Sequence, residues 1–412
     1  MRFFLFGSVL LFLALFTGCR NSEKKSDEDT NGLLKTIIIP KPLGIKDVDI
    51  IENLEFITLE ATDKSLFGVV SKMRIYQDRI YILDAIYAAA LFIYTMDGKH
   101  LATIGDNKGG GPFDFVKLFN FEIDYVNNQL LVMDSWGQKF MIYDLDGNFI
   151  KRVDSNLHVT DAVLLPNGYI VHAKSSDEHI LPGQSNSKIF ITDDNQNIIK
   201  EGFEYDDNKN INIHSYGIIR SSLDGDIVFA PRLRDTIYSI TFDSITPKYA
   251  IDYGVNKKVS QSVLNNIQRD SENPTKAWKE FARHVNDGYL CFLGNNVESD
   301  DYLYLYLGHH NNIVSVFYNK KTNRSIAVSL NYYTDEIVGL NIKSEKYKFL
   351  MDKLLESEKY NLLCADSDGY FYGALNESLI EAVIRLHPEL KDLDNPEDMN
   401  PILFRYKIKN EK

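Results

Sequence analysis

A motif of two short strands occurs twice in this chain, the first strand ending in aspartate and the second followed by an Asp-Gly turn. It reads Ile-Tyr-Ile-Leu-Asp at 80–84 and Ile-Tyr-Thr-Met-Asp-Gly at 93–98. It returns as Leu-Leu-Val-Met-Asp at 130–134 and Ile-Tyr-Asp-Leu-Asp-Gly at 142–147. The copies are offset by 50 positions in the first strand and by 49 in the second. Self-similarity at this period, in strand-like sequence, predicts a β-propeller of four-stranded blades.

Six segments carry the apolar pattern of a second blade strand, and each is followed by a third. The second strands are predicted to begin near Ile80, Leu130, Tyr169, Ile227, Tyr302 and Tyr370. The third strands are predicted at 91–94, 140–143, 188–192, 236–241, 313–318 and 402–408. A strand-like segment at 55–60 has no blade of its own, and we expect it to pair beside 403–409. The predicted fold is therefore an all-β, six-bladed propeller closed by an N-terminal strand, which removes exposed sheet edges.

Two stretches have helical rather than strand-like patterns. The segment 259–284 is rich in helix formers, with apolar residues at Val263, Leu264 and Ile267, and 344–360 is amphipathic in the same way. We expect both to be helical insertions between late blades. Insertions on one face of a propeller are where specificity usually resides.

The N-terminus has the features of an export signal. Arg2 precedes an apolar run at 3–16 that is too short to span a bilayer comfortably, and Thr17-Gly18 precede Cys19. This predicts a lipoprotein signal peptide at 1–18, lipidation of Cys19, a flexible tether at 19–35 and the propeller at 36–412. The alternative is an ordinary secretory signal followed by a chance cysteine.

Charge and cysteine content narrow the class of partner. The net charge of −13 argues against nucleic acid and against electrostatic binding to an anionic membrane, so membrane attachment is expected through the lipid. Cys291 and Cys364 lie in apolar runs and are expected to be buried thiols, although a disulfide between them stays open.

Three segments carry a resemblance to a known family. They are the glycine-rich turn at 109–115, the pair 234–240 with 247–254, and Asn-Pro-Ile-Leu at 400–403. In these the chain resembles the six-bladed β-propeller lipoproteins of gut Bacteroidota, which are related to NHL-repeat propellers. The resemblance implies an outer-membrane lipoprotein, either surface-exposed or facing the periplasm. An acidic run in the tether resembles the surface-export signal of that group. Fold alone does not imply an activity.

Two motifs resemble binding sites but have structural explanations. Gly109-Gly110-Gly111 could cradle a phosphate, but Pro112 and a strand follow where a helix is needed, so a tight turn between blades with positive φ is the better explanation. A set of aspartates could hold Ca²⁺ in the central channel. Most of them fall in turns, however, where hydrogen bonds from the aspartate side chain to nearby backbone N–H groups explain them better. This set is Asp84, Asp97, Asp134, Asp146, Asp224 and Asp226.

The inner strands and the loops before them supply the candidate binding residues at the channel mouth. They are Lys117, His158, Asp161, His214, Arg220 and His284. His214 and His284 could act as general bases or metal ligands, or be hydrogen-bonded packing residues. Aromatic residues could form a carbohydrate or peptide platform, with core packing as the alternative. They are Tyr87, Trp136, Trp278, Tyr302, Tyr304 and Tyr306.

These observations predict a lipid-anchored, monomeric propeller that binds a ligand or protein partner on one face. We expect it to be non-catalytic and predict no cofactor, because no nucleophile arrangement is recognisable. The partner could be a glycan, a peptide or a membrane protein. Two alternatives stay open: a hydrolase or lyase using Ca²⁺ or Zn²⁺ in the central channel, and an accessory subunit of an outer-membrane uptake complex.

Overall fold

In a computed structural model of the chain, Leu34–Lys412 form one compact unit. The structure describes residues 34–44, 50–105, 109, 111, 113–134, 138–155, 161–165, 170–173, 187–193, 195, 197–204, 218–221, 227–231, 233–269, 274–309, 312–331, 363–375 and 400–409. The predicted signal peptide, Cys19 and most of the tether lie outside these residues.

Twenty-six strands and two helices lie in the described part of the chain. In chain order the strands are β1 (Lys35–Ile38), β2 (Leu43–Gly44), β3 (Ile51–Ile57), β4 (Lys72–Tyr76), β5 (Arg79–Asp84), β6 (Ala90–Thr95), β7 (His100–Ile104), β8 (Leu118–Asp124), β9 (Gln129–Asp134), β10 (Lys139–Asp144), β11 (Phe149–Asp154), β12 (Asp161–Leu164), β13 (Ile170–Ala173), β14 (Ser187–Thr192), β15 (Ile198–Glu204), β16 (Ile218–Ser221), β17 (Ile227–Ala230), β18 (Thr236–Ile240), β19 (Ile245–Asp252), β20 (Phe292–Glu298), β21 (Tyr302–His309), β22 (Asn312–Asn319), β23 (Arg324–Asn331), β24 (Cys364–Ala365), β25 (Tyr370–Ala374) and β26 (Leu403–Ile408). The helices are α1 (Gln261–Arg269) and α2 (Pro274–Asn286).

The strands form six sheets, each built on four antiparallel strands, and these are the blades of a propeller. Blades 1 to 5 begin at β4, β8, β12, β16 and β20, and blade 6 contains β24, β25, β26 and β3. The first strands of neighbouring blades lie against one another, as β4 does with both β8 and β24. These first strands are therefore the inner strands around the central axis. The predicted fold class and all six pairs of second and third strands are confirmed.

The ring is closed by an N-terminal strand, as the sequence predicts. β3 pairs antiparallel with β26, so that Ile57 lies opposite Leu403 and Ile51 opposite Ile408. Beyond the ladder, Lys409 N donates to Ile50 O at 2.8 Å. The last blade thus takes its outer strand from the start of the propeller.

Two further strands precede β3 and were not anticipated from the sequence. β1 adds to the outer edge of blade 4, parallel to β19, and β2 adds to blade 5, parallel to β23. Ile37 and Ile39 have no solvent exposure and belong to a hydrophobic cluster that spans blades 4 and 5. The N-terminal segment therefore follows the rim across blades 4 and 5 before it closes blade 6.

The continuous apolar runs arise because central blade strands are covered on both faces. In β5, Tyr81 and Leu83 belong to the cluster shared with blade 2, whereas Ile80 and Ile82 belong to the cluster shared with blade 6. Alternate side chains of a strand point to opposite faces, so each face here contacts a different neighbouring blade. Hydrophobic packing between blades rather than within one sheet therefore holds the ring together.

The predicted helical insertion at 259–284 is confirmed as α1 and α2, between blades 4 and 5. Val263, Leu264 and Phe281 are buried, which is the amphipathic pattern that the sequence shows. The second predicted insertion, 344–360, lies outside the described residues. In the described part of the chain, neither helix has the length and apolar character needed to cross a bilayer.

Candidate functional site

The aspartate that ends each repeated strand holds the turns around it. The carboxylate of Asp84 accepts hydrogen bonds from the backbone N–H groups of Ile86 at 2.9 Å and Tyr87 at 2.8 Å. It also accepts from Gly68 at 2.9 Å and Val69 at 3.3 Å, in the loop that leads to β4. Burial raises the pKa of Asp84, but these donors outweigh burial and lower it below its usual value.

The second copy of the motif repeats the arrangement. Asp134 accepts from the backbone N–H of Val116 at 2.7 Å and from that of Lys117 at 3.2 Å, in the loop that leads to β8. In both copies of the motif, the aspartate at the end of a blade's second strand therefore holds the loop that leads to the inner strand of the same blade. Asp84 and Asp134 have the turn role expected from the sequence, and Asp224 and Asp226 lie outside the described residues.

The glycine-rich turn between blades 1 and 2 wraps around a carboxylate. Asp114 Oδ2 accepts from the Gly111 backbone N–H at 2.8 Å. A Cβ on Gly109 or Gly111 would lie 2.5 or 2.6 Å from that same oxygen, which is too close for a side chain. Neither Gly109 nor Gly111 has a positive φ, so the expectation of positive φ is wrong at these two positions, and the structure shows close approach to Asp114 there instead.

The inner strands of blades 1 and 2 are joined by a buried ion pair. Arg74 on β4 donates from Nε to Glu122 Oε1 and from Nη2 to Glu122 Oε2, both at 2.7 Å. Two parallel bonds between a guanidinium and a carboxylate are the strongest geometry for such a pair. Side-chain exposure is 7% for Arg74 and 1% for Glu122, so the pair is shielded from water.

Lys72 extends this network to a third blade. Its Nζ lies 3.0 Å from Glu122 Oε2, donates to Asn120 Oδ1 at 3.0 Å and lies 3.8 Å from Asp161 Oδ1. Asn120 Nδ2 in turn donates to Asp161 Oδ1 at 2.8 Å. We call these five residues the channel cluster: Lys72, Arg74, Asn120, Glu122 and Asp161. They lie on β4, β8 and β12, the inner strands of blades 1 to 3.

The electrostatics of the cluster are those of a desolvated, paired site. Burial lowers the pKa of Lys72 below its usual value, although Glu122 and Asp161 oppose the shift. Burial would raise the pKa of Glu122, but Arg74 and Lys72 outweigh burial and lower it well below the usual range. The two cations balance the two carboxylates, so the cluster has no net charge.

Exposure is graded across the cluster. The side chains of Lys72 and Asp161 are 15% and 14% exposed, in contrast with the sealed Arg74–Glu122 pair. Lys72 therefore has access to solvent at the open side of the cluster. Two of its three N–H donors are directed to Glu122 and Asn120, and the 3.8 Å separation from Asp161 is beyond hydrogen-bond distance. Within the described residues, this leaves one ammonium donor that can serve a ligand.

The residues predicted from the sequence to line the channel mouth occupy different places. Asp161 begins an inner strand and belongs to the channel cluster. Lys117 is exposed in the loop before β8, and Arg220 lies on the inner strand β16. His284 lies on α2, where its Nδ1 is 2.9 Å from Glu280 O and its ring contacts Tyr289. His158 and His214 lie outside the described residues.

Four cluster members, Lys72, Arg74, Asn120 and Glu122, were not among the sequence candidates. A signal was available, because the contacting pairs Lys72 with Asn120 and Arg74 with Glu122 are each separated by 48 positions. That spacing is close to the repeat period, so each pair occupies equivalent places in successive blades. Polar residues at alternate positions of an otherwise apolar inner strand indicate side chains directed at the axis.

The remaining candidates from the sequence are the aromatic residues, the two cysteines and a channel metal. Tyr302, Tyr304 and Tyr306 are buried, which confirms the packing interpretation, and Tyr87 is exposed. Trp136 lies outside the described residues, and nothing is described of the Trp278 side chain. Cys291 and Cys364 are buried thiols that form no disulfide. No cluster of three or more potential metal ligands is found in the described part of the chain, and the alternative of Ca²⁺ or Zn²⁺ in the channel stays untested.

Several solved structures are similar to this chain, and the first of those that follow shares its fold. An exported protein of Bacteroides fragilis has a TM-score of 0.68 at 19% identity, over 91% of this chain and 100% of that one. A member of the DUF4221 family from Bacteroides vulgatus has a TM-score of 0.49 at 12% identity, over 87% and 99%. Virginiamycin B lyase from Staphylococcus aureus has a TM-score of 0.37 at 15% identity, over 69% and 75%. At these identities the likeness concerns the fold alone.

A comparison with curated proteins finds no match. A family model, by contrast, matches residues 38–407, which cover the blades from β1 almost to the end of β26. The chain therefore belongs to the family described as a domain of unknown function, DUF4934.

Proposed function

We propose that this protein is an exported, lipid-anchored propeller that binds a polyhydroxylated ligand, such as a glycan, at the mouth of its central channel. The observation that carries the proposal is the graded channel cluster, in which Lys72 and Asp161 reach solvent above a sealed ion pair. The buried Arg74–Glu122 pair rigidifies the site, and Lys72 and Asp161 are the cluster members that a ligand could reach from solvent.

The chemistry of the open side favours hydroxyl groups over a simple anion. A hydroxyl group can accept a hydrogen bond from Lys72 Nζ and donate one to the Asp161 carboxylate. A ligand anion would add a third negative charge to a cluster whose four charges already balance. Vicinal hydroxyls of a sugar match a cation and a carboxylate whose nearest atoms are 3.8 Å apart.

The lipid anchor is proposed from Thr17-Gly18-Cys19 and the apolar run before them. Support for export comes from the fold shared with the exported Bacteroides fragilis protein. A tether that holds a glycan-binding propeller at the outer membrane would place its channel where extracellular glycans arrive. Incorporation of labelled palmitate that is lost in Cys19→Ala tests the anchor, and an unlabelled wild-type protein contradicts it.

Binding is tested by calorimetric titration with three probes: maltotriose, N,N′-diacetylchitobiose and trigalacturonic acid. We expect one probe to bind at millimolar concentration or tighter, and Lys72→Met to weaken it at least tenfold, because the methionine keeps the apolar stem without the donors. Lys320→Met is the matched control. Its ammonium is similarly buried and lies 3.1 Å from Glu298 Oε1, away from the channel cluster. No saturable binding of any probe, or equal losses in both variants, would refute the proposal.

A further inference from the structure

A second concave site lies on the rim, between the outer strands of blades 1 and 2. It is a cleft of about 450 Å³. One wall comes from Thr103 and Ile104 at the end of β7. The other comes from blade 2 and the turn before it, and includes Phe113, Phe115, Tyr143 and Phe149. It shares no residue with the channel cluster.

Two of the four aromatic residues that line the cleft, Phe113 and Phe149, are exposed, whereas Phe115 and Tyr143 are buried beneath them. Phe113 and Phe149 are 57% and 38% exposed, although their ring centroids are only 5.1 Å apart in an edge-to-face contact. The Phe149 ring also meets Tyr143 edge-to-face at 5.6 Å. A contiguous exposed aromatic patch of this kind marks an interaction surface more often than a lone exposed phenylalanine does.

The cleft adjoins a sheet edge that carries no added strand. β7 is the outer strand of blade 1, and in the described part of the chain no strand pairs with its outer side, although the His100 backbone N–H donates to Glu60 Oε2 at 2.9 Å and the Thr103 hydroxyl donates to Lys64 O at 2.7 Å. Such an edge presents backbone N–H and C=O groups that an extended segment can pair with. The cleft thus combines an edge for backbone pairing with a pocket for side chains, the two components of recognition by strand addition.

The molecule itself shows what fills the equivalent place between blades 4 and 5. β1 adds parallel to β19, the outer strand of blade 4, with Ile37 opposite Ile251. Ile37 and Ile39 are fully buried in the cluster that spans the two blades, whereas the intervening Ile38 is largely exposed. Alternate side chains of an added parallel strand therefore fill the groove between outer strands in this propeller.

We propose that the rim cleft binds an extended segment of a partner polypeptide, which adds parallel to β7 and inserts alternate apolar side chains between blades 1 and 2. The occupant has the chemistry of β1: β-branched or aromatic residues at every second position. The groove between blades 4 and 5 already holds β1, which is covalently attached and so has a high effective concentration. Among the outer strands that carry no added strand in the described residues (β3, β7, β11 and β15), we expect a peptide supplied in trans at β7, because the end of β7 lines the rim cleft.

The probe is a labelled synthetic peptide with the sequence Leu-Lys-Thr-Ile-Ile-Ile-Pro of residues 34–40, tested by fluorescence polarisation on the full chain in mild detergent. We expect saturable binding that weakens at least tenfold in Phe149→Ala and in Phe113→Ala. Ile150→Ala is the matched control, because Ile150 is also exposed and follows Phe149 on β11 but does not line the cleft. We expect it to change affinity less than twofold.

Two further measurements locate the peptide. A version with benzoylphenylalanine at its central isoleucine is expected to cross-link to β7 and β11, and a version with asparagine at the positions of Ile37 and Ile39 to bind at least tenfold more weakly. Lys72→Met is expected to retain peptide binding, so failure of the channel proposal would not affect this one. No saturable binding up to 1 mM, cross-links confined to β19, or unchanged affinity in both phenylalanine variants would overturn the proposal.

Discussion

Arg74 and Glu122 occupy equivalent positions in successive blades, 48 residues apart, and their side chains form a two-pronged ion pair with both N–O distances at 2.7 Å. The pair joins the inner strands of blades 1 and 2, where both side chains are almost completely buried. Its contribution therefore depends on both partners being present.

Glu122→Gln is expected to destabilise the protein by about 3–5 kcal/mol, because it leaves Arg74 and Lys72 buried without their counter-charge. Removing both charges together, in Arg74→Met with Glu122→Leu, is expected to cost much less than either single change. Urea unfolding of Glu122→Gln, of Arg74→Met alone and of the double variant measures this. Equal costs for single and double variants would contradict a coupled pair.

A matched control lies in blade 6, between its strands β26 and β3. There Arg405 donates to Glu55 Oε2 from Nε at 2.8 Å and from Nη2 at 2.6 Å, but both side chains are substantially exposed. Exposed pairs contribute about 0–1 kcal/mol. Glu55→Gln is therefore expected to shift the unfolding midpoint little, although the contact distances match those of the buried pair.

Gly98→Ala is expected to destabilise the ring closure. Gly98 has a φ of +86°, and a Cβ there would lie 1.9 Å from the backbone oxygen of Thr58, which directly follows β3. Gly369 has a φ of +83° with no atom within 4 Å of the added Cβ, so Gly369→Ala isolates the conformational cost of about 1–2 kcal/mol. We expect Gly98→Ala to cost at least about 2 kcal/mol more, because backbone has to move. Thermal unfolding that ranks the two variants equally would contradict this.

The sequence predicted most of this fold because the central blade strands are packed on both faces. Such strands read as short apolar runs ending in turn residues, as at 80–84, and their pairing partners are close in sequence. β1 and β2 were missed because they are short and their partners are distant, with Lys35 opposite Tyr249. A local pattern contains no signal for a parallel partner more than 200 residues away.

The candidate site was predicted less well. Asp161 was found because it precedes a strand pattern at the expected blade position. Lys72, Arg74 and Glu122 were missed because each is a single charged residue within an apolar strand, and their complementary charges are visible only once the repeat is aligned. When the inner strands of blades 1 and 2 are aligned at the repeat period, Arg74 and Glu122 fall at the same position.

Asp84→Asn is expected to lower stability near neutral pH, because the amide replaces a carboxylate that holds turns on both sides of β5. Since the pKa of Asp84 is lowered in the folded protein, the carboxylate contributes its full stabilisation above its ordinary pKa of 3.8. That contribution is lost as pH falls below this value. The stability difference between wild type and Asp84→Asn should therefore be constant from pH 7 to about pH 5 and shrink in stronger acid. A difference that grows with acid would contradict the assignment.

His172 is expected to make the protein acid-sensitive at a higher pH than its carboxylates do. The imidazole is fully buried on β13, with Nε2 2.8 Å from Thr192 Oγ1, and burial lowers its pKa from 6.5 to about 3. Below pH 6.5 the unfolded chain takes up a proton at this position and the folded chain does not. Stability is therefore expected to fall by about 1.4 kcal/mol per pH unit between pH 6.5 and pH 5 from this group alone.

His172→Gln keeps a hydrogen-bonding side chain beside Thr192 and removes the titration, so we expect it to flatten the stability profile between pH 5 and pH 6.5. His100→Gln is the matched control, because His100 makes a similar contact, 2.9 Å from Thr103 Oγ1, on the partly exposed strand β7. We expect that variant to keep the wild-type slope. Urea unfolding at half-unit pH intervals measures all three proteins. If His172→Gln retained the slope, the buried imidazole would not be its source.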